Sequence, residues 1–181
     1  MDRRTLLVAA GAALAAGCAS EAGPPADPGA RRREIDGSVD RALGQLYAQR
    51  GMRELVGRAQ GVLVFPEVFT AGLLVGGSHG QGAMRKQNQT TGYFSLGAVS
   101  VGLTAGAQTR AMFLLFMAVE ALAKFEASNG WTIGADATVT LADMGIDTRA
   151  VTAPIVCIVR SQSGFMANVS LEGTKINRLP L

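Results

Sequence analysis

Among the side chains that could take part in catalysis, His79, Ser100, Asp136 and Glu172 stand out by their settings in this 181-residue chain. His79 is the single histidine and lies in a glycine-rich run. A Ser-His-Asp relay would therefore have to use it, with a nucleophile close by. Ser100 sits between Val99 and Val101, without the first glycine of a nucleophile elbow and with no helical pattern directly after it. Asp136 and Glu172 fall in strand-like stretches and could pair as acid and base. Hydrogen bonding inside the fold, or an ion pair with Arg160, is the reading adopted for them. His79 reads as a surface loop residue. The chain shows no HExxH, no paired cysteines and no phosphate-binding loop, so metal and nucleotide chemistry lack their ligands. No enzyme, no cofactor and no metal are expected.

Cationic side chains offer a different chemistry, the binding of phosphate. The candidates for lipid head-group contact are Arg31, Arg32, Arg33, Arg41, Arg50, Arg53, Arg58, Arg85 and Lys86. Each such charge near an anionic surface is worth about 1 kcal/mol. A net charge of +3 is too small to imply nucleic acid, and no dense basic stripe with interleaved aromatics is present. The triple arginine stands close to an N-terminal segment that bears on where it acts. Arg3 and Arg4 precede a short apolar run, Leu6 to Ala16, which is too short to span a bilayer. Gly17 and Cys18 follow. Residues 1–17 resemble a bacterial lipoprotein signal peptide, with Cys18 the lipidated first residue of the mature chain. Arg3-Arg4-Thr5-Leu6-Leu7 also resembles a twin-arginine export signal. The alternative is an ordinary cleaved secretory peptide. Ala19 and Ser20 lack the aspartate that retains such lipoproteins at the inner membrane, so the outer membrane, facing the periplasm, is the expected location.

Residues 18–33 read as the anchor and a Pro/Gly/Ala tether, in which Pro24, Pro25 and Pro28 exclude a helix and favour extended spacing. With Cys18 acylated, Cys157 would be the only other cysteine, a small buried hydrophobe inside an apolar run.

These cations and the anchor need a body to position them. Hydrophobic residues make up 48% and charged ones 17%, which specifies a globular domain with a core. From Glu34 to Gln60 apolar residues recur at helical spacing with a break at Gly51, predicting two amphipathic helices. From Gly61 to Gln108 short runs rich in Val, Leu and aromatics alternate with glycines. They predict strands at Val62–Phe65, Leu73–Val75, Tyr93–Leu96 and Val99–Leu103. Gly72, Gly76, Gly77, Gly80 and Gly82 should mark bends, bulges or close backbone approach. Ala111 to Ala127 predicts a buried helix, with Glu120 and Lys124 paired at its exposed end and Gly130 as a left-handed cap. Thr132–Leu141 alternates as a strand, and 143–149 is a polar loop. Ile155–Arg160 and Phe165–Leu171 read as a hairpin with Gly164 in the turn. The fold class is α+β: a strongly twisted antiparallel sheet curling toward a small barrel, with a buried central helix and the N-terminal helices packed on it.

Several segments occur in an order that carries a resemblance: Gly61 to Pro66, Ala71 to Gly77 with Gly80 and Gly82, Gly106 to Gln108, Gly134 to Ala137, and Ser163 to Gly173. Together, across residues 34–181, they resemble the SYLF domain, the lipid-binding domain of actin-regulatory and plant FYVE proteins and of many bacterial lipoproteins. The resemblance implies membrane-lipid binding, phosphoinositides being the ligands in eukaryotes, with actin contact in some members and no catalytic residues. The expected partner is membrane phospholipid. The alternative is a structural envelope protein that binds a protein partner, its lipidation serving only for location.

Overall fold

The computed structural model describes residues 27–142, 151–161, 164–165 and 170–181. Helix α1 runs from Pro28 to Tyr47. The Asp27 carboxylate caps it by accepting from the N–H groups of Gly29 and Ala30, both at 3.1 Å. Pro28 stands at the first turn, where its fixed φ and missing N–H favour the helix, so it starts a helix instead of excluding one. Arg31, Arg32 and Arg33 therefore sit on α1. Ile35, Val39, Ala42, Leu43 and Leu46 form its buried stripe. After a turn at left-handed Gly51, helix α2 (Met52–Gly57) buries Met52, Leu55 and Val56.

The expected short strands are joined into two long ones, β1 (Gly61–Lys86) and β2 (Gln89–Phe116). They pair antiparallel throughout, from Gly61 opposite Phe116 to Lys86 opposite Gln89. The two-residue turn Gln87-Asn88 has φ of 50° and 64°, as a type I′ hairpin requires, without the usual glycine.

This ribbon does not run straight. Eighteen residues of extended strand would cover about 60 Å. Yet a Cβ placed on Gly82 would lie 1.9 Å from the carbonyl oxygen of Val64, and one on Gly80 2.9 Å from that of Glu67. β1 thus coils until its two ends touch, and the glycines stand at the contact, as the sequence predicts. Register shifts at Phe65/Val68, Gly72/Leu74 and Met84/Arg85 supply the bends.

The remaining strands extend β2. β5 (Ile155–Ser161) pairs antiparallel with its end, and β7 (Lys175–Leu179) pairs with residues 93–97. β3 (Trp131–Thr132) joins β7, β4 (Thr140–Ala142) runs parallel to β5, and β6 (Gly164–Phe165) forms the expected hairpin with β5, although Gly164 pairs with Ser161 in the ladder instead of standing in the turn. The whole is an α+β fold whose strongly curled, open sheet makes a half-barrel.

Both faces of this sheet are buried. On one, Leu63, Phe65, Leu114, Phe116 and Cys157 pack beneath helix α3 (Val119–Ala127); on the other, Val62, Val64, Phe113, Leu115 and Ile158 pack beneath α1 and α2. That explains the largest departure from expectation. Residues 111–116 are a central strand, and α3 keeps only the end of the predicted helix. A strand covered on both faces is continuously apolar, a pattern shared with a buried helix. α3 itself is not buried all round: Leu122 and Phe125 face inward while Val119 is 60% exposed. Phe125 anchors it, with ring centroids 4.9 Å from Phe116, 5.2 Å from Phe94 and 5.5 Å from Trp131. Burying that ring contributes about 2–3 kcal/mol.

Smaller differences follow. Ser128, not Gly130, ends α3: its backbone is extended and its hydroxyl donates to the Phe125 carbonyl at 2.8 Å. Gly130 is not left-handed, whereas Gly134 and Gly173 are. Glu120 and Lys124 form no ion pair; Glu126 of the same helix pairs with Lys86. Of the strand expected over Thr132–Leu141, only its ends are extended, with an isolated bridge between Ile133 and Ala137. The loop at 143–149 and most of the Phe165–Leu171 strand lie outside the described residues. β7 was not anticipated.

Candidate functional site

The cationic residues singled out from sequence divide sharply once α1 is docked. Arg85, next to the hairpin turn, points back at the helix. Its Nη2 lies 2.6 Å from Asp40 Oδ1 and 3.4 Å from Asp36 Oδ1, and its side chain is only 13% exposed. Arg85 Nη1 also donates to Thr90 Oγ1. Asp36 accepts further from the Thr90 hydroxyl at 2.7 Å and the Tyr93 hydroxyl at 2.8 Å. Burial, then this bond, raises the pKa of Tyr93 above its ordinary value. Asp36 and Asp40 are one turn apart, so the cluster is a clamp that fixes one flank of α1 to the tip of the hairpin. Lys86 is similarly engaged, its Nζ lying 3.0 Å from Glu126 Oε1. These two cations are each partnered by carboxylates.

The other flank of α1 is different. Ser38, Arg41 and Gln45 follow one another at helical spacing and line a groove of about 260 Å³ with Pro66, Glu67, Arg110 and Arg160. Arg41 Nη2 donates to Ser38 Oγ at 2.9 Å, and Arg160 Nη1 to Gln45 Oε1 at 2.7 Å. Both partners are neutral, so they orient the guanidinium groups without neutralising them. Arg110 has neither a hydrogen bond nor an ion pair among the described residues. Burial lowers its pKa, opposed by the negative charge of the Cys157 thiolate, a form that burial itself disfavours. The groove opens where the ladder shifts between Phe65 and Val68, at Pro66 and Glu67. Sequence reasoning selected Arg41 but not Arg110 or Arg160. Arg110 was hidden by the helix expected just after it. The sequence offers Arg160 as a partner for Asp136 or Glu172, whereas Asp136 accepts from the Thr132 N–H at 2.6 Å.

Elsewhere, Arg31 donates to Gln81 Oε1 at 3.2 Å, and Arg33 lies 3.7 Å from Asp27 with both side chains largely exposed. Such an exposed pair holds little energy. Arg32 and Arg50 are exposed. Arg53 lies over the Tyr47 ring at 4.9 Å, and Arg58 donates to the Val151 carbonyl at 3.2 Å. His79 is exposed, but on β1 and not on a loop. Cys157 is fully buried, and Cys18 lies outside the described residues. Among the described residues no group of side chains is set to hold a metal ion, and no helix is long and apolar enough to cross a membrane.

Residues 97–179 match the family model described as Ysc84, Las17-binding protein actin regulator, which is the SYLF family. The matched span takes in most of β2, then α3 and strands β3 to β7; α1, α2 and β1 precede it. No curated protein matches the chain.

Proposed function

We propose, from the premise that residues 97–179 belong to the SYLF family, that this chain is a lipid-anchored envelope protein whose domain binds anionic membrane phospholipid. The family is linked to lipid and protein binding in general. The observation that carries the finer reading is how α1 sorts its charges. Its two mid-helix acids, Asp36 and Asp40, turn to Arg85, while Arg32, Arg33 and Arg41 are left exposed. With those two acids paired, Arg32, Arg33 and Arg41 outnumber Glu34, the remaining exposed carboxylate of α1, and anionic lipid attracts such a surface at about 1 kcal/mol per charge. α1 also begins only ten residues after Cys18. Acyl chains on Cys18, at about 0.8 kcal/mol per buried methylene, would hold that surface against a bilayer, which we place at the periplasmic face of the outer membrane. No catalytic role is proposed.

Two measurements test this. The soluble chain carrying Cys18→Ser should co-sediment with phosphatidylglycerol vesicles and not with phosphatidylcholine vesicles, and salt should weaken the binding. Equal binding to both at low ionic strength refutes the electrostatic reading. Intact-mass spectrometry of protein from its native host should show an acylated N-terminal Cys18, and an unmodified thiol refutes the anchor.

A further inference from the structure

We infer that the groove between α1 and the β1–β2–β5 edge is a seat for one singly charged phosphodiester, gripped by Arg41 and Arg160. This rests on the lipid-binding reading and names the place and ligand class for it.

Three features set this groove apart. First, the guanidinium groups of Arg41 and Arg160 are each held by one hydrogen bond to a neutral partner on α1, Ser38 or Gln45. A guanidinium has five N–H donors, so each keeps a free edge for a phosphate oxygen, with its direction already set. Second, three arginines line the groove against one carboxylate, Glu67. Arg110 is half-buried and its charge is disfavoured by burial, so an anion in the groove would relieve what the protein leaves uncompensated. Third, Glu67 at the same groove opposes a second negative charge. A phosphodiester carries one charge; a phosphate monoester or free phosphate carries nearly two at neutral pH.

Two larger clefts among the described residues lack this arrangement. In the cleft by the hairpin turn, Arg53 is stacked on Tyr47 and Arg85 is clamped by carboxylates. In the cleft beside Leu181, Arg178 lies over Phe94 and Arg32 is exposed, with no hydrogen bond among the described residues to orient it.

The same phosphodiester could come from a bilayer lipid or from a soluble glycerophosphodiester. The test uses the Cys18→Ser chain, otherwise wild type and free of detergent, titrated with glycerophosphoglycerol, with inorganic phosphate, and with nanodiscs containing phosphatidylglycerol in phosphatidylcholine. Arg41→Gln and Arg160→Gln should each weaken nanodisc binding at least about tenfold, the loss of one charge-assisted fork. Lys124→Gln, exposed on α3 at the other face of the sheet, should stay within about twofold, because a lone surface charge contributes little. Melting curves confirm that the variants fold.

If glycerophosphoglycerol binds as tightly as the lipid and shows the same losses, the seat stands and its ligand is soluble. Inorganic phosphate binding more tightly than the diester overturns the single-charge selection. Unchanged nanodisc binding by both arginine variants overturns the seat while leaving the lipid-binding reading intact. A wild-type chain that ignores anionic lipid altogether overturns both.

Discussion

Replacing Gly82 by alanine tests whether β1 coils back on itself. Gly82 is buried and does not have a positive φ, so alanine meets no backbone strain there, only lack of room. The new Cβ would lie 1.9 Å from Val64 O, 2.8 Å from Val64 C and 2.9 Å from Phe65 Cδ1. Ordinary carbon–oxygen contact begins near 3.4 Å, so β1 must open by roughly 1.5 Å at this point. The nearest atoms are backbone, and Val64 is tied in register to Phe113 on β2, so no side chain can swing away. Overpacking a core costs about 1–3 kcal/mol, and a clash with backbone belongs at the upper end. Loss of glycine's freedom in the unfolded chain returns about 0.4–1 kcal/mol. The net is a loss of about 2–3 kcal/mol, or some 5–10 °C in melting temperature for a domain of this size. Thermal unfolding followed by far-ultraviolet circular dichroism measures it. Gly44→Ala is the control: it sits in α1 with nothing within 4 Å of the added carbon, and should gain about 1 kcal/mol. A Gly82→Ala protein melting within about 2 °C of wild type would show that the strand ends do not touch, since a net loss of about 2–3 kcal/mol moves the midpoint at least about 4 °C.

Other expectations follow from the same geometry. Asp36→Asn removes the carboxylate charge and turns one of the two oxygens that serve Thr90, Tyr93 and Arg85 into a donor, and should cost about 2–3 kcal/mol in urea unfolding, discounted for the partial exposure of the aspartate. In that variant the Tyr93 phenol should also titrate at lower pH than in wild type, as read by ultraviolet absorbance, because Asp36 helps to raise it. Lys86→Gln should leave binding to anionic vesicles unchanged and cost under about 1 kcal/mol, since Lys86 is held by Glu126 at a half-exposed site. Burial raises the Cys157 pKa in the folded chain, so the fold binds a proton that the unfolded chain releases. Its contribution is complete below the ordinary thiol value near 9 and is lost as pH rises beyond it. Stability should therefore fall by up to about 1.4 kcal/mol per pH unit above that value. Cys157→Ala should flatten the decline, and equal slopes would refute the assignment.

The sequence made some of this legible for local reasons and hid the rest for non-local ones. The glycine spacing announced the curl because Gly80 and Gly82 act where they stand, by having no side chain. β5 was readable because its apolar run is short and Gly164 closes a hairpin behind it. Residues 111–116 were misread because α1 and α3 cover opposite faces of β2. That burial erases the alternation by which a strand is known, and nothing within the segment records it. Pro28 was misread for a related reason: its effect depends on whether it stands before or inside a helix, and the Asp27 cap decides that.

Charge is the hardest case. Arg41 and Arg85 look alike in sequence, each a cation beside apolar residues. Their difference lies in partners 45 or more residues away: Asp40 and Asp36 reach Arg85, while among the described residues Arg41 bonds the hydroxyl of Ser38 and no carboxylate. The hairpin turn at Gln87-Asn88 brings Arg85 to α1, and the ladder shift at Pro66 opens the groove on the helix's other flank. The same docking thus neutralises one side of α1 and leaves the other cationic. It follows that the clamp and the groove are coupled: a change that releases Asp36 and Asp40 would return two negative charges to the helix surface. Asp40→Asn should accordingly leave vesicle binding unchanged or slightly strengthened, whereas Arg85→Gln, which frees both carboxylates, should weaken it without removing any exposed cation. If Arg85→Gln folds and binds anionic vesicles as wild type does, charge sorting by the clamp is not what makes this helix face attractive to phosphate.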